Sequence, residues 1–308
     1  MKELKSDRPQ SPSFLSQLDR MKAGYLFILP ALIIITVFVF VPMLASVYLS
    51  FTEYNVFQPP VFVGLRNYQT LLFHDPLFWK AVRNTVLYVL GTVPVGVGLA
   101  LLLAVLVDNS RLKSFFRTVY FLPTITAIVA IAVVWKWLYA EDAYGFINYF
   151  RSVAWGGAPI HWLTNPRTTL PAIIVMSIWG GLGYNFIFFL AGLQGIPQTV
   201  YEAARIDGVN RWQNFWYITL PLLRPVMLFV ISLSLIGSLQ VFDQVYILTQ
   251  GTEYVGGVLH SALTVVTYLY ERGFQRSQMG YASAMAYLLF FVIFILTLIN
   301  FRVMKLKD

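Results

Sequence analysis

The sequence predicts an all-α integral membrane protein with six transmembrane helices, on three observations. Hydrophobic residues make up 58% of the 308 and charged residues only 12%, with a mean hydropathy of +0.67. A soluble domain carries about 25% charged residues. The charges are also clustered, leaving uncharged windows over 23–52, 84–107, 118–135, 168–201, 225–242 and 277–301. Each is long enough to cross the hydrocarbon layer as a helix, which needs roughly 20 residues. Finally, Lys and Arg fall unevenly on the loops that these windows define.

Residues 1–22 form a tail carrying Lys2, Lys5, Arg8, Arg20 and Lys22. A single permeation domain is expected over 23–304, with its first span over about 23–50. That stretch is too long for a signal-peptide core and has no small-residue cleavage site, so it is expected to stay attached. The remaining spans are expected over about 84–107, 117–139, 168–195, 219–242 and 279–303, with a loop 196–218 between the fourth and fifth and a short tail 305–308. One further uncharged window, Tyr254–Tyr270, carries Gly256, Gly257, His260, Ser261, Thr264 and Thr267, which is too polar for a seventh span. A seventh span would also put the two basic termini on opposite sides. The window is expected to be an extracytoplasmic helix, either lying on the membrane surface or dipping into it.

With six spans, one side holds 14 basic residues: the five of the N-terminal tail, Arg111, Lys113, Arg117, Arg205, Arg211, Arg224, Arg302, Lys305 and Lys307. The other holds 8, spread over longer loops: Arg66, Lys80, Arg83, Lys136, Arg151, Arg167, Arg272 and Arg276. Basic residues collect on the cytoplasmic side, so both termini and the loop 196–218 are expected there. The same bias, with contact to anionic membrane lipid, accounts for the net charge of +8 without a nucleic-acid partner. There are no cysteines. His74, His161 and His260 fall in separate outer loops without ligand spacing, so no metal site is expected. No phosphate-binding G-x-x-x-x-G-K-[ST] occurs, and no nucleophile–base constellation points to catalytic residues.

The most specific segment lies in the loop 196–218 and the start of the fifth span. It reads Glu202-Ala203-Ala204-Arg205-Ile206-Asp207-Gly208, then nine residues, then Ile218-Thr219-Leu220-Pro221. Pro197 suits a helix start, the two alanines offer a small surface for close packing, and Gly208 permits the turn that ends one helix and begins another. Trp212, Phe215 and Trp216 are too apolar to leave in water, so this face reads as a docking surface. The segment resembles the EAA loop of the membrane subunits of binding-protein-dependent ABC importers, E-A-A-x-x-x-G, nine residues, I-x-L-P, and matches all its fixed positions. The resemblance implies that Glu202, Ala203, Ala204, Asp207, Gly208, Ile218, Leu220 and Pro221 couple the chain to an ATPase.

Further matches run in order along the chain: Phe62-Val63-Gly64-Leu65-Arg66-Asn67-Tyr68, Asn84-Thr85, Phe121-Leu122-Pro123, Phe242-Asp243-Gln244-Val245-Tyr246-Ile247-Leu248-Thr249 and Gly280-Tyr281-Ala282-Ser283-Ala284. From Tyr25 onward the chain is similar to the first permease subunits of carbohydrate importers of the maltose, lactose and glycerol-3-phosphate type. It departs from them at Gln250-Gly251-Thr252, where the family has Gly-Gly-Pro. The resemblance implies a type I importer architecture in a bacterial or archaeal cytoplasmic membrane. It also implies a second homologous permease, two cytosolic ATPase subunits that hold ATP and Mg²⁺, and an extracytoplasmic solute-binding protein.

Ser177, Gly181 and Tyr184 share a face of the fourth span at i, i+4, i+7, with Asn185 adjacent. Ser234 and Ser238 share one of the fifth, with Gly237 and Gln240 nearby. Small residues on a membrane helix also serve close packing, so the pattern alone leaves packing and pore lining open. The family places midmembrane sugar contacts on these two spans, and an ungapped count from Glu202 puts Ser177, Gly180, Gly181, Tyr184, Ser234, Gly237 and Ser238 at the corresponding positions. The alternative is an ion-coupled secondary transporter. It would call for ionisable groups inside the membrane, and the expected span interiors contain no Asp or Glu.

Overall fold

The computed structural model describes residues 14–108, 110–141 and 145–305. Most of the two expected tails, residues 1–13 and 306–308, lies outside the described residues. The protein is mostly helical. Four helices are long and apolar enough to cross a membrane, and two bent helix pairs raise that number to six if each pair counts once.

The first span is longer than its uncharged window. Helix α1 (Phe14–Ile35) runs through a π-helical turn, Thr36–Phe40, into α2 (Val41–Ser50). Pro42 follows that turn, where a widened helix accommodates a residue with no N–H. Beyond it come a two-residue antiparallel pair, β1 (Thr52–Glu53) and β2 (Val61–Phe62), and the short α3 (Arg66–Gln69).

Helix α4 spans Pro76–Asp108, beginning before the expected residue 84. The window began late because Lys80 and Arg83 interrupt it, yet both ride on the helix's outer turns. Asp75 caps this end, its Oδ1 accepting from the Leu77 and Phe78 N–H groups at 3.0 Å each. Its Oδ2 accepts from the Tyr268 hydroxyl at 2.7 Å and the Tyr281 hydroxyl at 2.6 Å. Arg272 then donates to the Tyr268 oxygen from Nε and Nη2 at 2.8 and 2.6 Å. Burial pushes the Asp75 carboxyl up, but the bonds from Tyr281, Tyr268 and the Phe78 N–H, with the Arg272 charge, outweigh it and hold it below its ordinary value.

The expected third span, 117–139, is not one helix. It is α5 (Lys113–Ile125) and α6 (Ile128–Leu138), bent by 96°. Pro123 cannot donate within the ladder, and Thr126 and Ala127 turn extended at ψ 137° and 128°. An unanticipated helix, α7 (Phe146–Trp155), follows on the connection. The buried Asn148 fastens it, donating to the Ala140 and Ile160 carbonyls and accepting from Ile160 N–H and Trp162 Nε1. Helix α8 (Thr169–Gln194) closely fits the expected fourth span. At Gly183 it meets α5, where a Cβ would stand 1.8 Å from the Tyr120 carbonyl oxygen, so only glycine permits the approach.

After α8 come α9 (Gln198–Ile206), α10 (Arg211–Asn214), a π-helical turn Phe215–Thr219 and α11 (Leu220–Leu222). The fifth span proper is α12 (Arg224–Leu239), bent 68° from the preceding segment and ending before the expected residue 242. Helix α13 (Asp243–Thr249) follows. The segment 254–270 is not the one helix expected, on the surface or dipping inward. Gly256 and Gly257 have φ of +79° and +85°, a 3₁₀ turn covers Val258–His260, and only Val265–Tyr270 forms a helix, α14. Ala262, Leu263, Thr264 and Val265 are buried inside the protein. Asn84 Nδ2 donates to the His260 and Leu263 carbonyls, and Thr85 Oγ1 accepts from the Val265 N–H. Helix α15 (Met279–Lys305) is the last.

The core centres on α4 packed against α8, with α12 against α4 and α5 against α8. Ala100 and Ala104 of α4 face Phe186, Phe189 and Leu190 of α8 in one buried cluster. By contrast, every side chain from Tyr25 to Ala45 is exposed within the chain, so this helix relies on lipid or another subunit for cover.

Asp75→Ala removes the helix cap and strands two hydroxyls, and is expected to cost roughly 2–4 kcal/mol, read by thermal unfolding in detergent. Because the folded carboxyl titrates below its ordinary 3.8, its contribution is present above that value and lost as pH falls through the lower folded one. Asp75→Asn should lack this acid-dependent loss; a variant with the wild-type acid profile would contradict the assignment.

Candidate functional site

Two features stand out, a polar cleft midway along α8 and an exposed turn beyond its far end. The cleft, of about 310 Å³, lies between α4, α8 and α12. Eight residues expected on the substrate pathway line it together: Ser177, Gly180, Gly181, Tyr184 and Asn185 from α8, and Ser234, Gly237 and Ser238 from α12. The ninth, Gln240, caps the C-terminal end of α12 and is not among the lining residues; Gln244 of α13 contributes its carboxamide instead. The chain breaks away from α12 just after Leu239, which carries the Gln240 side chain off the lining face.

Sequence reasoning missed the third wall. Tyr88, Thr92 and Gly96 of α4 also line the cleft, and their i, i+4, i+8 spacing was the available signal. Thr92 Oγ1 donates to the Tyr88 carbonyl at 2.7 Å and lies 3.2 Å from Ser238 Oγ. Ser177 Oγ donates to the Ile173 carbonyl at 2.8 Å, and Ser234 Oγ to Asn185 Oδ1 at 3.3 Å. Tyr184 stands edge-on to Phe188 at 4.8 Å, and Phe188 edge-on to Phe229 at 5.1 Å. This leaves the half-exposed Tyr184 ring in a fixed orientation on the cleft wall.

The turn is built by local rules. Pro197 is the residue before α9, extended at ψ 134°, rather than within its first turn. Gly208 takes φ +74°. Its N–H donates to the Arg205 carbonyl at 3.2 Å and the Val209 N–H to Ala204 at 3.0 Å, the paired closure of a Schellman motif. Helix α10 then opens with a reciprocal capping box: Asn210 Oδ1 accepts from Gln213 N–H at 2.9 Å and Gln213 Oε1 from Asn210 N–H at 3.0 Å. Glu202, Ala203, Arg205, Asp207 and Gly208 are exposed, as is Pro221. Ala204 is buried against the chain itself and Ile218 and Leu220 are half-buried, so these three support the turn from within. Successive helix residues point about 100° apart, which separates Ala204 from Ala203. Ile206, absent from the expected set, is 87% exposed beside them, and Trp212 and Tyr217 are exposed as well. An apolar side chain on a polar turn was the signal for Ile206.

The comparisons with known proteins agree with one another. Residues 96–306 match the family described as binding-protein-dependent transport system inner membrane component. The lactose transport system permease protein LacF of Rhizobium radiobacter is 38% identical over 283 residues, covering 90% of this chain and 92% of LacF. The probable ABC transporter permease protein YesP of Bacillus subtilis is 38% identical over 282 residues, covering 91% of this chain and 89% of YesP. The trehalose/maltose transport system permease protein MalF of Thermococcus litoralis is 34% identical, covering 93% and 95%. Among solved structures, a chain of a bacterial ABC transporter that imports the acidic polysaccharide alginate superposes with a TM-score of 0.83 at 26% identity, covering 96% of this chain and 99% of that one. A helical chain that buries a hydroxyl-lined cleft among apolar spans, and matches these relatives along nearly its whole length, belongs to the binding-protein-dependent inner-membrane permeases of ABC transporters.

Proposed function

We propose that this permease forms half of the translocation pathway of a sugar importer, with the cleft as its midmembrane passage and the α9–α10 turn as its contact with an ATPase. The observation that carries the reading is the short tether between the two: α8 lines the cleft with Ser177–Asn185 and is joined to α9 by only Gly195, Ile196 and Pro197. Movement of the turn therefore moves a wall of the cleft. The sugar assignment draws on the lactose, trehalose/maltose and arabinooligosaccharide permeases among its relatives. A solute-binding protein as donor draws on the alginate importer, solved with its pentasaccharide-bound periplasmic protein.

The assembly adds a second homologous permease and two cytosolic ATPase subunits, which hold ATP and Mg²⁺. The exposed apolar helix from Tyr25 to Ala45 favours a partner permease, because only its C-terminal end, where the Met43 carbonyl accepts from the Tyr287 hydroxyl, meets α15. Six spans, with both bent pairs crossing, put the two termini and the α9–α10 turn in the cytoplasm and Glu253 outside, in line with the basic-residue asymmetry. Family membership leaves the ion-coupled alternative without support.

Topology is open to direct measurement because the chain has no native cysteine. In intact cells an impermeant maleimide should label cysteine at position 253 and spare position 111; the reverse pattern would refute the orientation. Glu202→Lys should abolish ATPase capture and uptake, since loss of one partner of an interfacial charge pair costs about 2–5 kcal/mol. Gly208→Val meets no steric neighbour within 4 Å, so its penalty is the left-handed backbone alone, about 1–2 kcal/mol or somewhat more for a β-branched residue; uptake should fall while membrane insertion persists. Tyr184→Ala should alter solute affinity while the ATPase remains bound by pull-down. Normal uptake by Glu202→Lys would show that the ATPase docks elsewhere.

A further inference from the structure

We infer that this chain's half of the cleft selects uncharged, hydroxyl-rich solutes and discriminates against carboxylated ones, because no lining residue is charged and its three seryl hydroxyls are committed as hydrogen-bond acceptors. The inference rests on the reading of the cleft as the solute pathway.

None of the residues lining the cleft carries a charge. The direction of each hydroxyl follows from its partner. A backbone carbonyl only accepts, so Thr92 spends its proton on Tyr88 at 2.7 Å. Its oxygen, 3.2 Å from Ser238 Oγ, is then left to accept, which makes Ser238 the donor of that pair. Ser177 spends its proton on the Ile173 carbonyl and Ser234 on the Asn185 carboxamide oxygen. Three seryl oxygens therefore face the cleft with lone pairs and no proton to offer.

A sugar hydroxyl meets such a wall well, since it donates to the seryl oxygen and can accept from the carboxamide N–H groups of Asn185 or Gln244. A carboxylate has only lone pairs: it gains nothing from the three seryl oxygens, is left with the carboxamide N–H groups and the Tyr88 and Tyr184 hydroxyls as neutral donors, and meets no cation among the lining residues to offset its lost hydration. Thr92 acts as a positioning residue: from the cleft wall it sets the direction of the Ser238 hydroxyl.

The test uses the assembled importer, with its partner permease and ATPases, in lipid nanodiscs without binding protein. The probes are a trigalacturonate and its methyl ester, which share ring geometry and differ in charge. Binding read by thermal stabilisation should favour the ester by about tenfold, the ratio that 1.4 kcal/mol gives. Thr92→Val frees the Ser238 proton and should narrow that ratio several-fold, whereas a loss of packing alone would weaken both probes equally. Equal binding of the two probes, binding of neither, a preference for the free acid, or an unchanged ratio in Thr92→Val overturns the inference. Gly181→Trp separates this from failure of the pathway reading. A Cβ there meets nothing within 4 Å, so the indole fills the cleft and should remove binding of both probes. Undiminished binding in that variant would mean that the solute does not use the cleft at all.

Discussion

In an apolar surrounding, each backbone N–H and C=O must find its partner within the protein, and the architecture of this permease turns on how that demand is met where helices stop. The segment 254–264 is the clearest case. It is largely irregular, yet its later residues are buried. Side chains of α4 stand in for the missing ladder: Lys80 donates to the Leu259 carbonyl, Asn84 to His260 and Leu263, and Thr85 accepts from Val265. Thr264 closes the remaining side by donating to the Val241 carbonyl at 3.1 Å. The Asn84-Thr85 pair is thus a backbone surrogate, and Asp75 extends the same arrangement by joining the start of α4 to α14 and α15 through Tyr268 and Tyr281.

Those outer ties leave the inner half free to serve transport. Helices α4 and α8 meet along small residues, and glycine at 183 lets α5 reach the α8 backbone, so α8 is held on two sides as a rigid rod. Interiors packed in this way transmit displacement rather than absorb it. A push on the Schellman turn at Gly208, passed through α9, would therefore be felt at Tyr184 and Asn185, about two and a half turns before the end of α8 at Gln194. The bends at Thr126–Ala127 and Leu223 flank that rod. They concentrate flexure at positions where Pro123 and Pro225 have already removed hydrogen bonds.

The same chain leaves a great deal of apolar surface bare, from Phe27 and Phe38 at one end to Phe290 and Phe294 at the other. Lipid covers such surface at little cost. A first helix that meets its own chain only near α15, beside this much bare apolar surface, suits a subunit whose stability would rest on its surroundings as much as on its own core.

The amino-acid sequence by itself determined the class of the protein and the chemistry of its two working parts. Long and strongly apolar windows mark the membrane-spanning candidates, a glycine after Ile206-Asp207 reads as a helix stop, and eight of nine small or polar residues expected on the pathway do share one cleft. These features are local, set by hydropathy, backbone propensity and helical periodicity, and so are legible in one dimension. Only the tertiary structure decided which alanine of the pair faces outward, that Tyr88 and Thr92 complete the cleft, that the third and fifth spans bend, and that 254–264 folds inward. Each of these depends on which residues distant in the chain supply a hydrogen bond or a packing surface: Thr92 comes from α4 and Ser238 from α12, and no spacing within either helix encodes their meeting.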